Sequence, residues 1–358
     1  MLELDEIALL PTELNSGNSM QGNFNFAVED IEPSLPIFTS PMEAVVGSGN
    51  WKMWPENGIK PVIPRTETLD FRLEACGYIF TAFSKEEVKQ HFILNINKSQ
   101  SPLLRICIDA GNGHDTEVLE IGKSLRRIYG PRVSIMGGNI GNPATYLDYC
   151  RADFDYVRVG LSSGSLVDLD KYGFYYPMAS LLIDITTVKK TTGIGLKQPK
   201  IIADGGIKCS ADILKCIALG ADYVMIGREF AKLLEANGDI YREVYDTNEK
   251  RRVLELQNKE DLVNIDLESL KRRELVRIYK GNTTNQTQAE RAGYTDIEKW
   301  ESKTKKKKPV DSRCENVSVT SNLETWLKEM YECFSYGFTM TSSIDWKSFK
   351  NNVKHISL

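Results

Sequence analysis

The chain has 358 residues, of which 41% are hydrophobic and 26% are charged, as in an ordinary globular protein. Its formal net charge of −4 provides no positive field that would attract a nucleic acid polymer or an anionic membrane. No apolar run approaches the roughly 20 residues of a membrane-spanning helix. The first residues, MLELDEIALLPTE, are too acidic for a signal peptide, so we expect a cytoplasmic protein with no membrane partner.

The seven cysteines and three histidines show no pattern of metal ligands or structural disulfides. The number of cysteines is odd, and no two of them have the C-x-x-C spacing of a zinc or redox motif. Cys107, Cys150 and Cys216 lie among apolar residues, which is typical of small core side chains. We therefore expect neither a metal site nor a disulfide framework.

Between residues 35 and 230, short apolar runs alternate with segments of helical periodicity. Eight runs are predicted strands, and each ends in glycine or polar residues: 35–39, 60–63, 78–83, 103–108, 133–136, 156–159, 200–203 and 223–226. Helical periodicity covers 69–75, 85–93, a segment ending near 129, 143–150, 178–190 and a segment that begins at Ser210. This alternation predicts a (β/α)8 TIM barrel whose loops at one face form the functional site. A doubly wound sheet is the alternative, but no GxGxxG motif begins the chain.

Residues 199–228 carry the strongest functional signal. The strand at 200–203 stops at Asp204-Gly205-Gly206, and the strand at 223–226 stops at Gly227. Glycines lack a Cβ, so their backbone N–H groups can approach an anion closely. Two successive glycine-ended strand tips late in a barrel commonly form a phosphate site, with Asp204 facing sugar hydroxyls. Glycines that only permit tight turns are the alternative interpretation.

The pattern changes after residue 230. Residues 235–278 are highly charged and predict surface excursions that are helical or extended, and Tyr279 begins a small polar turn that runs to residue 286. The lysine run at 304–308 is interpreted as a solvated loop. An amphipathic helix over 323–334 is expected to pack on the barrel. We expect one barrel domain over 1–358, with 235–320 as a charged excursion or flap region within it.

Seven segments at these strand ends, in this order, resemble the IMP dehydrogenase / GMP reductase family of (β/α)8 enzymes. They are Ser40-Pro41-Met42, 108–113, Met136-Gly137-Gly138-Asn139, 159–165, 203–207, Met225-Ile226-Gly227 and Tyr279-Lys280-Gly281. The Asp-x-x-Asn-Gly form at 109–113 resembles the reductase branch. Too little chain follows the strand at 78–83 for the paired CBS-type regulatory modules of many dehydrogenases, so we expect no such insert.

The resemblance implies a site for a purine nucleoside monophosphate. It implies a 5′-phosphate held by five residues: Ser165, Gly206, Gly227, Arg228 and Tyr279. An arginine such as Arg228 can make a bidentate contact with a phosphate. Asp204 would accept hydrogen bonds from the ribose, the turn that begins at Gly281 would meet the base edge, and Asp109 would face a nicotinamide ribose. NADP(H) or NAD(H) as cofactor and a homotetrameric assembly are further implications of the resemblance.

The loop that carries the family's chemistry departs from the family pattern. Val167 stands where the family has the cysteine that attacks C2 of the purine, and Asp168 and Leu169 replace threonines. Covalent catalysis of that kind requires a thiolate, and valine has no lone pair. Asp168 is a candidate general acid or base, and Cys209, just beyond the Gly206 strand tip, is a candidate replacement thiol.

Three hypotheses therefore stay open. The protein is a thiol-independent enzyme acting on a purine nucleotide, or an oxidoreductase of the GMP reductase / IMP dehydrogenase class that uses a substitute group. The third is a non-catalytic protein that binds purine nucleotides.

Overall fold

The computed structural model describes residues 1–12, 34–95, 103–161, 173–192, 195–246, 251–262, 265–281 and 314–358. The strands are β1 Ile7–Leu10, β2 Ile37–Thr39, β3 Val62–Ile63, β4 Phe80–Phe83, β5 Leu104–Ile108, β6 Val133–Ile140, β7 Tyr156–Val159, β8 Lys200–Asp204, β9 Tyr223–Ile226, β10 Ile240–Asp246, β11 Arg251–Gln257, β12 Leu275–Lys280, β13 Cys314–Ser318 and β14 Lys354–Ser357. The α-helices are α1 Met53–Glu56, α2 Leu69–Ala75, α3 Lys85–Val88, α4 Thr116–Tyr129, α5 Thr145–Arg151, α6 Met178–Thr192, α7 Ser210–Ala218, α8 Arg228–Ala231, α9 Leu267–Arg272, α10 Leu323–Met340 and α11 Trp346–Asn352. Short 3-10 or π turns cover Leu4–Glu6, Lys89–Leu94, Gly130–Arg132 and Lys259–Leu262.

Strands β2 to β9 form one parallel sheet that curls into a barrel. Their spatial order is β2-β9-β8-β7-β6-β5-β4-β3. A parallel bridge between Phe38 and Lys60 joins the two ends of the sheet, and the Thr39 N–H donates to the Lys60 carbonyl at 2.9 Å. Helices follow the strands on the outside, so the predicted (β/α)8 barrel is confirmed.

Four aromatic rings fill the interior of the barrel. Phe38, Phe80, Tyr156 and Tyr223 come from four different strands, and their ring centroids lie 5.1 to 5.9 Å apart in edge-on or tilted pairs. Such geometry is favourable for aromatic quadrupoles and leaves no room for a pore. A ligand must therefore bind above this layer, at the ends of the strands.

Two matching aspartates stabilise the amino-terminal face of the barrel. Asp155 precedes β7 and accepts a hydrogen bond from the Ile135 N–H at 2.7 Å, while Asp222 precedes β9 and accepts from the Ile201 N–H at 2.9 Å. Each carboxylate thus binds the backbone of the neighbouring strand. The sequence repeat Asp-Tyr-Val at 155–157 and 222–224 reflects this shared role.

Asp222 also ties the C-terminal helix α11 to the barrel. Lys350 and Lys189 each place Nζ 3.0 Å from one of its carboxylate oxygens. Burial opposes ionisation, but the two lysines and the Ile201 amide lower the pKa of Asp222 to about 2. Burial lowers the pKa of Lys350 in spite of its partner. For the Asp222 carboxylate, the effect of ion pairing on the pKa is larger than the effect of burial. For the Lys350 ammonium, ion pairing offsets only part of the effect of burial.

Strands β10 to β13 form a separate antiparallel sheet in the order β11-β10-β12-β13. Its own apolar cluster contains Leu234, Ile240, Leu262, Leu270, Leu275 and Val319. Arg277 of β12 is fully buried and donates to backbone carbonyls of the segment after α8, including those of Leu233 and Gly238 at 2.7 and 2.8 Å. Burial lowers the pKa of Arg277 to about 10, and these carbonyls satisfy its N–H groups.

Several boundaries differ from those predicted. Tyr279 was expected in a polar turn, but it belongs to β12, because its partner Glu315 on β13 continues the pairing of the two strands to this point. The last long helix, α10, extends to Met340, six residues beyond its predicted end, since Phe338 packs on Trp346 of α11 at 5.0 Å. The lysine run at 304–308 lies outside the described residues. Among the helices that the structure describes, none has the length and apolar character needed to cross a membrane.

Candidate functional site

A buried arginine links two carboxylates at the carboxyl ends of the barrel strands. Arg158 of β7 places Nη1 3.2 Å from Asp109 Oδ1, just after β5, and Nε 3.0 Å from Asp204 Oδ2 at the end of β8. All three side chains are only 11 to 12% exposed. Asn139 of β6 donates from Nδ2 to the same Asp204 oxygen at 2.8 Å. The tips of four neighbouring strands therefore meet in one hydrogen-bonded cluster.

The electrostatics of the cluster hold Arg158 in its charged form. Burial by itself would lower the pKa of Arg158, but Asp204, the Cys107 thiol and Asp109 raise it. Burial raises the pKa of Cys107 to about 12, so this thiol stays neutral in spite of its contact with the guanidinium. One cation and two carboxylates leave this part of the site with a formal charge of −1. Hydroxyl donors and cations are the groups that such a charge favours.

A second arginine extends the cluster towards the rim. Arg65, two residues after β3, has Nη1 3.9 Å from Asp109 Oδ2 and Nε 3.8 Å from Glu87 Oε2. Burial opposes ionisation of Glu87, but its 2.6 Å contact with Arg72, the Ser84 amide and Arg65 lower its pKa to about 2. The Arg65 Nε–H is buried and has no hydrogen-bond partner among the residues that the structure describes. An unsatisfied guanidinium donor at the rim is suited to an anionic ligand group.

The glycine-ended tips lie beside this cluster, on β8 and β9. Gly205 and Gly206 have φ of +98° and +78°, values that side chains other than glycine rarely adopt. At Gly227 a methyl group would overlap the Tyr279 hydroxyl oxygen and lie 3.1 Å from Ser40 Oγ. Two hydroxyl groups thus converge on the backbone at the end of β9.

Tyr279 can act only as a neutral donor or acceptor in this position. Its side chain is 5% exposed. Burial raises its pKa, and the nearby Asp204 carboxylate raises it further. The phenol therefore keeps its proton at neutral pH and can donate it to an anion at the Gly227 tip.

The structure brings some of the residues proposed from sequence together and leaves others apart. Asp109, Asp204, Gly206, Gly227 and Tyr279 lie on the strand tips just described. Arg228 follows Gly227, but its side chain is 47% exposed and reaches Glu315 of β13 at 3.4 Å. Gly281 directly follows β12. Ser165, Val167 and Asp168 lie outside the described residues, as does the rest of the turn after Gly281. Cys209 is exposed at the N-terminal cap of α7.

His114, in the loop after β5, has a structural environment. Its Nε2 accepts a hydrogen bond from the Gly141 N–H at 3.0 Å, which leaves the proton on Nδ1 for donation to Thr145 Oγ1 at 2.8 Å. Burial lowers its pKa, which favours the neutral ring that these two contacts require. His114 therefore fixes the loop between β6 and α5 and is not placed for proton transfer at the strand tips.

Sequence reasoning missed Arg158, Asn139 and Arg65 as members of the site. The signal for Arg158 was present, because an arginine within the apolar run Tyr156–Val159 must find a buried counter-charge. Asp109 and Asp204, the partners of Arg158, lie more than 45 residues away from it in sequence. Which carboxylates it would pair with was therefore not visible in the sequence. Among the residues described by the structure, no group of three acidic, histidine or cysteine side chains could hold a metal ion.

Part of the chain is similar in sequence to known proteins. Residues 100–252, which carry Asp109, Arg158, Asp204 and Gly227, match the sequence model described as the IMP dehydrogenase / GMP reductase domain. Curated relatives with both names align with the chain. An inosine-5′-monophosphate dehydrogenase of Chlorobaculum tepidum is 34% identical over 135 residues, which are 37% of this chain and 26% of the relative.

Two GMP reductases align over similar or longer segments. The enzyme of Buchnera aphidicola subsp. Schizaphis graminum is 31% identical over 178 residues, 46% of this chain and 49% of the relative. The human protein named GMP reductase 1 is 32% identical over 137 residues, 38% of each chain. The chain thus matches between about a quarter and a half of the length of these relatives. The residues that match the family model include the carboxyl ends of β5 to β9, where the buried cluster lies.

Proposed function

We propose that this barrel binds a purine nucleoside monophosphate and belongs functionally to the oxidoreductase class of GMP reductase and IMP dehydrogenase. The proposal rests on one observation: donors for an anion and an acceptor for sugar hydroxyls lie together at the carboxyl ends of β8 and β9. The glycine tips of β8 and β9, with the Tyr279 and Ser40 hydroxyls, offer donors to an anion. Asp204, at the end of β8, offers an acceptor to sugar hydroxyls.

The proposed pose follows from these groups. The 5′-phosphate lies against the backbone of Gly206 and Gly227 and accepts a hydrogen bond from Tyr279, with Ser165 as a further donor. Arg228 turns from Glu315 to the phosphate, which is feasible because an exposed pair with a 3.4 Å contact contributes little stability. The ribose donates to Asp204, and the backbone after Gly281 meets the base.

A nicotinamide cofactor fits the opposite side of the cluster. Asp109 is an acceptor for ribose hydroxyls, and Arg65 beside it has the buried, unsatisfied Nε–H described above, which suits a phosphate. NADP(H) or NAD(H), when bound, would supply hydride chemistry. The residues of this chain would orient the cofactor, and Arg158 would hold Asp109 in place.

The reaction itself is proposed to differ from that of the family, because the sequence resemblance aligns Val167 with the nucleophilic cysteine. Asp168 is the candidate general acid or base of a thiol-independent reaction. The same valine favours a second candidate, a non-catalytic protein that binds the nucleotide. Losing a nucleophile typically costs several orders of magnitude in rate, since the groups of an active site act together.

Turnover separates the two candidates. Purified protein is incubated with GMP and NADPH, and with IMP and NAD, while absorbance and products are followed. Product formation that Asp168→Asn abolishes supports the enzyme. Binding of GMP by calorimetry without any product over hours supports the binding protein. Absence of affinity for every purine monophosphate tested contradicts both.

The phosphate assignment has its own test in Arg228→Ala. The variant is expected to weaken GMP binding about tenfold and to leave guanosine binding nearly unchanged, because a charged hydrogen bond contributes roughly 1.5–3 kcal/mol and part of this is screened at an exposed site. Arg151→Ala is the matched control, since Arg151 is 60% exposed on the remote helix α5. Equal weakening of nucleotide and nucleoside binding would reject the assignment.

We further propose a cytoplasmic homotetramer, which sedimentation of the purified protein and cell fractionation would test.

A further inference from the structure

Helices α7 and α10 pack side by side on the outside of β8 and β9. At Gly337 of α10, an added methyl group would lie 2.8 Å from Leu214 Cδ1 of α7. Gly337 therefore lies directly against Leu214, and this contact gives the register of the two helices.

The two helices run in the same direction. Helix α7 begins directly after the glycine turn at the carboxyl end of β8. Helix α10 begins where the Ser321 carbonyl accepts from the Leu234 N–H, soon after the end of β9. It ends against α11, whose Lys350 reaches Asp222 at the opposite end of the barrel.

This register places two cysteines at the same level. Cys333 lies four residues before Gly337, and Cys209 lies five residues before Leu214. At about 1.5 Å per helical residue, both are displaced by one turn or slightly more from the Gly337–Leu214 contact, in the same direction. Both thiols are free, with Cys209 exposed and Cys333 half-buried. Burial raises the pKa of Cys333, and a negative charge on the neighbouring Cys209 would raise it further.

We propose that Cys209 and Cys333 form a redox-active dithiol that closes to a disulfide between α7 and α10. The co-reactant is a low-molecular-weight disulfide such as oxidised glutathione. The exposed Cys209 thiolate attacks one sulfur of that disulfide and releases one thiol, giving a mixed disulfide. The Cys333 thiolate then attacks Cys209 Sγ and releases the second thiol. The protein loses two electrons and two protons, and the small disulfide gains them as two thiols.

The disulfide has a consequence for the strand tip of β8. Cys209 lies three residues after Gly206, so the bond would tie the glycine turn to α10. Resting on the proposed function, we expect the oxidised form to bind GMP with an affinity different from that of the reduced form. Formation of the disulfide does not depend on nucleotide binding. If GMP does not bind, the disulfide can still form, and if the disulfide does not form, the proposed nucleotide site is unaffected.

Peptide mapping tests the bond directly. The full-length protein is treated with excess oxidised glutathione under native conditions, alkylated and digested with trypsin. Cleavage after each lysine or arginine places Cys209 in residues 209–215, Cys333 in residues 329–347 and Cys314 in residues 314–328. The expected product is a linked pair of the first two peptides, which a thiol reductant removes. The loop closed by the bond is long, so we also expect oxidation to raise the melting temperature by about 5 °C.

Two variants complete the test. Cys314→Ser removes the other exposed cysteine and is expected to leave the linked pair and the melting shift unchanged. Cys333→Ser is expected to leave Cys209 with bound glutathione only and to abolish the shift. The proposal is overturned if Cys209 stops at the mixed disulfide in the unmodified chain, if it links to Cys314, or if neither cysteine reacts.

Discussion

Replacing Arg158 with methionine should strongly destabilise the barrel. The guanidinium contacts Asp204 at 3.0 Å and Asp109 at 3.2 Å, and all three groups are about 90% buried. At an effective dielectric constant near 20, each contact is worth about 5 kcal/mol before desolvation. Most of that gain offsets the cost of burying the charges. The net loss on removing the shared partner is expected to be about 3–5 kcal/mol, since two buried carboxylates lose the guanidinium that they share and keep only weaker contacts, such as that of Asp109 with Arg65 at 3.9 Å.

Urea unfolding of Arg158→Met and the parent protein measures this loss. At pH 7 the variant should unfold at a much lower urea concentration than the parent. Replacing one of the two carboxylates by an amide removes one of the charges that has lost the guanidinium. The double variant Arg158→Met/Asp204→Asn should recover part of the stability at pH 7.

Arg151→Met is the matched control, because Arg151 is exposed and its ion-pair partner within the described part of the chain is Asp148, one turn earlier on the same helix. It should change the unfolding free energy by less than about 0.5 kcal/mol. A loss of stability in Arg158→Met with no recovery in the double variant would refute the electrostatic account. It would instead indicate that the arginine matters through its packing alone.

Two further predictions concern the opposite ends of β9. Gly227→Ala forces a methyl group into the Tyr279 hydroxyl, so we expect a loss of about 1–3 kcal/mol in stability and a loss of GMP binding. At Gly111 a methyl group would meet no atom of the described residues within 4 Å, so Gly111→Ala should cost far less stability. Equal costs for the two variants would contradict the crowding at Gly227. Asp222→Asn should lower stability by about 2 kcal/mol at pH 7, because the folded pKa of about 2 lies below the ordinary 3.8. Asp222 makes this contribution to stability above pH 4 and loses it as the pH falls towards 2. Acid titration followed by circular dichroism should therefore show the stabilities of parent and variant converging. A constant difference in stability would reject the role of the Lys350 and Lys189 pairs.

The positions of the strand ends were largely visible in the sequence. Each predicted barrel strand coincides with an observed one to within a few residues at either end, since a buried parallel strand is a short apolar run and the residue that ends it is glycine or polar. The shortening of β3 to Val62–Ile63 and the extension of β6 to Ile140 show the limit of this argument. Pairing with a neighbour, and not local composition, decides where a strand starts and stops.

The arrangement around Tyr279 was much less visible. Local composition favoured a polar turn, because Gly281 and Asn282 follow it in the sequence. In the structure, β12 pairs with β10 and β13, and this returns Tyr279 to the tip of β9, 52 residues after Gly227 in the chain. Long-range strand pairing of this kind has no local sequence signal.

The chain by itself determined the alternation of strands and helices, the glycines that require positive φ, and the absence of a cysteine at position 167, because these are properties of single residues and short periods. Only the folded barrel decided that Asp109 and Asp204 share the guanidinium of Arg158 and that the Tyr279 hydroxyl meets the Gly227 backbone. Those contacts depend on distances between strands that are far apart in sequence, and the closure of the sheet sets these distances.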